Sequence, residues 1–333
     1  VNATAAAIAS YYATPAVRAR IAEYAAGAVR CAAFGGARRR SEPDGGPVAA
    51  ASDELPRILA EGADVCRSLE DRAGTLVHLD VDYANPRDPA EPYREPTACF
   101  ARLEPVYRSV RAAFAGAGLP ALELMTGRGY HFTARAPSGS PLERGLRAQG
   151  GPPLAGADSG RAAAEAAHAG AGRLMEHLAH TVIRGADSGV PITLADVPPP
   201  GRGPFICLDL SAYGDPVGSR FIRAAFSSHQ KALVYGFSGV APAVFALPRG
   251  EVPLRAALEA RGDAAAAAAL ASAASAAIPE VVSAAGWIEA YSDDVLSWMH
   301  RRLDEVTPRP AEAAAEYTRI APANLPLCVR RAL

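Results

Sequence analysis

The 333-residue chain (34.4 kDa) is half apolar and about one-fifth charged, with a formal net charge of −1. That balance suits one large folded domain or two modest ones and excludes a chain that gathers nucleic acid by overall charge. No stretch of about 20 residues is apolar enough to cross a bilayer, and the first residues lack a secretory leader's basic-then-apolar order, so a soluble cytoplasmic protein with no membrane partner is expected. In chain order, residues 1–33 read as helical, alanine-rich with charged residues interleaved. A loop follows at 35–47 with the basic cluster Arg38-Arg39-Arg40, a run of the kind that is usually solvated and that steers substrate when a phosphate site is near. A second helix is predicted over 53–69. The apolar strand Leu76-Val77-His78-Leu79-Asp80-Val81-Asp82 comes next, then a proline-rich loop at 86–96 and a helix over 98–115 closed by Gly116 and Gly118. A strand at 121–125, the glycine turn Thr126-Gly127-Arg128-Gly129 and a strand at 130–136 form a hairpin-like unit.

Residues 137–160, rich in Gly, Pro and Ser, read as a flexible loop, and 161–184 as a helix. After Pro198-Pro199-Pro200 comes a buried strand, Phe205-Ile206-Cys207-Leu208-Asp209-Leu210. Alanine dominates 252–285, which reads as helix or as low-complexity sequence. Over 287–303, Trp287, Ile288, Tyr291, Val295, Leu296, Trp298 and Met299 recur at helical spacing and predict one packed amphipathic helix. The five cysteines, Cys31, Cys66, Cys99, Cys207 and Cys328, form no CxxC pair. A local zinc knuckle is therefore unsupported, and reduced thiols are expected.

Four groups of polar residues carry chemistry. Side chains alternate along a strand, so Val77, Leu79 and Val81 face a core while His78, Asp80 and Asp82 share the other face. Two carboxylates that close repel unless a cation or proton lies between them, and a divalent metal on hard oxygens is the common resolution. A solvated strand end is the plainer alternative. In the glycine turn, Arg128 adds a fixed charge to backbone N–H groups that suit an anion, and His131 opens the next strand; a plain hairpin with a satisfied histidine fits equally well. Asp209 ends an otherwise apolar strand and must pair, take up a proton or emerge beside a metal. Finally, Arg220, Arg223, Ser227, Ser228, His229 and Lys231, the only lysine, make a dense set of phosphate donors within twelve residues. The preference for arginine over lysine also fits a GC-rich genome.

In their order along the chain these segments resemble the archaeo-eukaryotic primase superfamily of primases and primase-polymerases. Its signatures are a strand ending in DxD, a small-residue turn closing on histidine, and an apolar strand ending in Asp. They are matched by Leu76 to Asp82, Thr126 to His131 and Phe205 to Asp209. Primase small subunits add a basic residue, Phe-Ser-x-His and a lysine, like Arg223, Phe226-Ser227-Ser228-His229 and Lys231 here. The resemblance implies an α/β (α+β) fold whose core, about residues 71–250, holds an RRM-like, mainly antiparallel sheet. A helical segment at 1–70 and an alanine-rich helical segment at 251–333 would flank it. It further implies a template-dependent nucleotidyltransferase in which Asp80, Asp82 and Asp209 hold two divalent ions, Mg²⁺ or Mn²⁺. Arg128, His131, Arg223, Ser227, His229 and Lys231 would grip a nucleoside triphosphate. Single-stranded or primed DNA is the expected template, and helicase or other replication, repair or defence partners would be separate chains. Many members carry a zinc knob between the first two signatures; only Cys99 lies there, so zinc is not expected. The alternatives are a metal-dependent phosphohydrolase or nuclease, and a non-catalytic nucleotide- or nucleic-acid-binding protein.

Overall fold

Alternation of apolar and polar residues over Gly74–Ala84 makes that segment the central strand of a computed structural model, which describes residues 3–34, 48–151, 159–196, 198–199, 203–230, 247–250 and 252–306. The chain opens with helices α1 (Ala3–Ala13) and α2 (Pro15–Ala25), the second started by a proline in its first turn, where no N–H partner is lost. Strands β1 (Arg30–Phe34) and β2 (Val48–Ala51), helix α3 (Leu55–Ala60) and strand β3 (Asp64–Ser68) follow. The helical expectations for 1–33 and 53–69 are therefore corrected at Arg30–Phe34 and Asp64–Ser68. Both are short strands whose hydrogen-bond partners lie far off in sequence, so pairing overrides local propensity. The central strand is β4 (Gly74–Ala84), followed by α4 (Glu91–Arg94), α5 (Pro96–Gly116), β5 (Leu122–Met125) and β6 (Gly129–Pro137).

Helix α6 (Pro141–Gln149) lies where a flexible loop was expected at 137–160. Ser140 caps it by accepting the Glu143 N–H, and Leu142 and Leu146 bury one face. Helix α7 (Ser159–Gly185), strands β7 (Ile192–Thr193), β8 (Phe205–Asp209), β9 (Phe221–Arg223) and β10 (Leu247–Pro248), and helices α8 (Leu254–Arg261), α9 (Ala264–Ala273), α10 (Ala285–Ser292) and α11 (Val295–Val306) complete the order. The helix expected over 287–303 is two helices, broken at Asp293-Asp294. Its second half packs through Leu296 and Ser297 and leaves Val295, Trp298, Met299 and Leu303 exposed.

The elements form an α+β fold with two sheets. A six-stranded sheet runs β10-β5-β6-β4-β8-β7, antiparallel except for the β7–β8 pair, and a four-stranded antiparallel sheet runs β2-β1-β3-β9. Helix α5 presents Phe100, Tyr107 and Phe114 at helical spacing to Tyr130 and Phe132 of β6, with ring centroids 4.5–5.7 Å apart. Since Tyr130 pairs with Val81 and Phe132 with Leu79, this aromatic layer covers the apolar face of β4 and leaves the aspartate face on the other side. One continuous cluster of buried apolar side chains runs from Ile8 to Tyr291.

Candidate active site

Register across three strands builds the site. Asp80 on β4 lies directly opposite His131 on β6 and directly opposite Asp209 on β8. Residues opposed in antiparallel strands put their Cβ atoms within about 4.5–5.5 Å of each other on one face. Three polar residues far apart in sequence thus stand in one row across the middle of the sheet. Asp82 and His78, two residues either way along β4, belong to the same face.

The row is electrostatically tense. Asp82 is held by Arg128, whose Nη2 and Nε lie 2.5 and 2.7 Å from Oδ2. Arg128 also stands 3.8 Å from Asp196. Burial and the neighbouring Asp80 push the Asp82 carboxyl up, with Arg128 opposing. Burial works against ionisation of Asp80 as well, but His131, His78 and Arg128 outweigh it and hold that carboxyl below its ordinary range. Asp80 Oδ1 is buried without a hydrogen-bond partner, 3.5 Å from His131 Nε2. Asp209 Oδ1 accepts the backbone N–H of Ser211 at 2.8 Å. His78, expected on the polar face, is there but buried. Its Nδ1 pairs with Thr133 Oγ1 at 2.9 Å, its ring meets His131 edge-on at 5.0 Å, and burial holds it neutral, down to about 3.

The turn before His131 is shaped by its glycines. Thr126 N–H donates to the Gly129 carbonyl and Thr126 Oγ1 accepts the Gly129 N–H. A Cβ on Gly129 would stand 1.7 Å from the Val81 carbonyl oxygen, so only glycine lets β6 lie against β4 beside Asp82. A Cβ on Gly127 would meet His229 Nε2 and the Tyr93 ring, each at 3.3 Å, which shows that His229 reaches this turn. His229 Nε2 hydrogen-bonds the Tyr93 hydroxyl at 3.2 Å and the two rings stack at 5.9 Å.

Of the expected site residues, the structure brings Asp80, Asp82, Arg128, His131 and Asp209 together, with His229 beside the turn. Arg223 and Ser227 are placed elsewhere. Arg223 Nη1 donates to Asp64 Oδ2 at 2.9 Å and to the Ser228 carbonyl at 2.6 Å. Ser227 Oγ accepts the Val65 N–H at 2.7 Å. Both serve a buried network in which Asp64, Tyr12, Ser228 and Gln230 also join. Lys231 and the Arg38-Arg39-Arg40 cluster lie outside the described residues. Sequence reasoning missed Tyr93, Asp196 and Asp64: nothing in their spacing ties them to partners so distant in the chain.

The donor chemistry, carboxylate oxygens on one face, is of the kind a hard divalent cation takes. The oxygens come from three neighbouring strand positions, one of them buried without a partner. As the side chains stand, Arg128 takes up Asp82, and no three His, Cys, Asp or Glu groups among the described residues converge on one point. No protein-family model matches the sequence, and no curated protein does. Among solved structures the chain is similar to a primase, RepB′, at a TM-score of 0.35 and 12% identity, over 88% of this chain and 69% of that one.

Proposed function

We propose that the chain is a nucleotidyltransferase of the primase or primase-polymerase kind, adding nucleotides to a 3′-hydroxyl on a DNA template. The observation that carries the reading is the row Asp209–Asp80–His131 in direct cross-strand register, with Asp82 and its arginine on the same face. Asp80, Asp82 and Asp209 would hold divalent ions, Mg²⁺ or Mn²⁺. Such ions, when bound, acidify a hydroxyl nucleophile and take up charge on the leaving pyrophosphate. Arg128 is side-on to the carboxylates and one-third exposed, so it can exchange Asp82 for a phosphate oxygen without leaving its turn. His131, whose Nε2 faces Asp80, is a donor to the same phosphates. His229, on the other side of the turn, is a further donor. The work of these groups is positioning and charge neutralisation, the main sources of rate in phosphoryl transfer.

The test is incorporation of labelled nucleotides on single-stranded DNA, with and without an annealed primer, in Mg²⁺ and in Mn²⁺. Asp80→Asn is expected to lower incorporation by about a thousandfold or more while leaving the fold intact, a loss on the scale of other electrostatic groups in catalysis. Product without primer identifies a primase, and product only with primer an extending polymerase. Folded protein that releases phosphate or cut ends but joins no nucleotide would move the assignment to hydrolysis.

A further inference from the structure

Beyond Asp82 the aspartate face continues into a cavity of about 230 Å³. Ala84 and Phe205, directly opposed at the end of the β4–β8 ladder, form its floor, two residues on from Asp82 and Cys207 along their strands. Pro86, Pro89 and Pro92 wall it, Tyr93 lines it, and Arg128 and Asp196 stand at its polar edge. Phe205 is almost wholly buried, yet it is absent from the continuous core that takes in its neighbours Ile206 and Leu208.

The space is smaller than the ~300–1,000 Å³ of pockets that enclose a drug-sized ligand. It suits one flat ring system and not a whole nucleotide. Its charged edge is Arg128, which already faces the carboxylates, with Asp196 beside it, so a ring held here projects its polar substituents toward Arg128, Asp82 and Asp80.

We propose that this cavity is the subsite for the base of the bound nucleotide, held by its faces against Tyr93 and the proline wall above the Ala84–Phe205 floor. This rests on the nucleotide-handling reading of the site. The wall has little to read a base edge with. Asn85 is committed to Glu91 and to the Arg87 N–H, and the Tyr83 hydroxyl to Glu91 and Arg102. The subsite therefore accepts any base and leaves choice to a template, as stacking platforms do.

The experiment is calorimetric titration of the full chain with ATP, UTP and inorganic tripolyphosphate in Ca²⁺. It is repeated on Ala84→Phe, which fills the floor, and on Pro89→Trp, which closes the exposed rim with little risk to the fold. ATP and UTP are each expected to bind about tenfold or more tighter than tripolyphosphate, a margin of the size base stacking supplies. Either folded variant should erase that margin and leave tripolyphosphate affinity unchanged. Wild-type protein that binds ATP no tighter than tripolyphosphate, or folded variants that keep the margin, would overturn the subsite. A margin that behaves as expected in a protein that joins no nucleotides keeps the subsite and removes the polymerase. Nucleotide joining with the margin intact in both variants does the reverse, and binding of none of the three ligands removes both.

Discussion

His168, on α7, lies behind the site, with Nε2 against the Ala212 carbonyl at 3.1 Å and its ring 4.9 Å from Tyr213. That tyrosine's hydroxyl accepts the His78 N–H and donates to the His78 carbonyl, filling the edge of β4 where β8 has ended. Burial lowers His168 from its ordinary 6.5 to about 4. The folded chain thus keeps it neutral where the unfolded chain takes a proton. Its contribution to stability is whole above pH 6.5 and is lost as the pH falls toward 4, about 2 kcal/mol being gone by pH 5. His78, down to about 3, adds in the same direction. Urea midpoints taken from pH 7.5 to 5 are expected to fall in the wild type and to fall less steeply in His168→Gln. An equal slope in the variant would remove His168 from the account. At the DxD the expected cost is chemical. Asp80→Asn removes a like charge beside Asp82 but also the charge that His131, His78 and Arg128 favour, so the two effects oppose and only a small change of melting temperature is expected even as incorporation falls about a thousandfold.

At the scale of elements, β9 and the turn after it are held by charge as well as by pairing. Arg223 on β9 is locked to Asp64 on β3, a carboxyl fully buried in the small sheet. Burial pushes that carboxyl up, and Arg223, Ser228 and the Gln230 N–H pull against it. Within this turn Phe226 has φ of 61°, the left-handed region that a buried phenylalanine enters only when its surroundings dictate it. Arg223→Met strands the Asp64 charge and should cost about 3–5 kcal/mol in denaturant titrations. Asp64→Asn in the same chain should return part of that loss, since the two side chains form one unit. Additive losses would show that they do not. This capture of Arg223 was not legible beforehand. The segment holding Asp64 read as helix because it is short and mixed in polarity, and only its pairing with β1 and β9 makes it a strand. The opposite held for β4, β6 and β8, whose apolar runs marked the strands, and on β4 alternation also marked the face carrying Asp80 and Asp82. Helix α6 hid among glycines and prolines, although Ser140 and the Leu142–Leu146 pair are its start and its buried face.

For the whole molecule, one carboxylate links the two sheets by charge in addition to their shared apolar core. Asp71 Oδ2 receives Arg67 of the small sheet at 2.5 Å and Arg135 of the large sheet at 2.9 Å. Both arginines also donate to the Ala26 carbonyl at the end of α2. Asp71→Ala leaves two buried guanidinium groups without their shared counter-charge. A loss of about 3–5 kcal/mol is expected, read as a lower denaturant midpoint; an unchanged midpoint would show that packing alone joins the sheets. The alanine-rich stretch 252–285, read as helix or as low-complexity sequence, holds α8 and α9; the break at Asp293 and the exposed side of α11 were not legible, because no local pattern tells a packed apolar stripe from a bare one. The row of Asp209, Asp80 and His131 has a further consequence, in the time domain. Its members meet only after two long chain loops have closed, and no local hairpin contains all three. During refolding, secondary structure should therefore return before catalytic competence, which waits on the joining of β8 to β4, the last and most distant pairing the row requires.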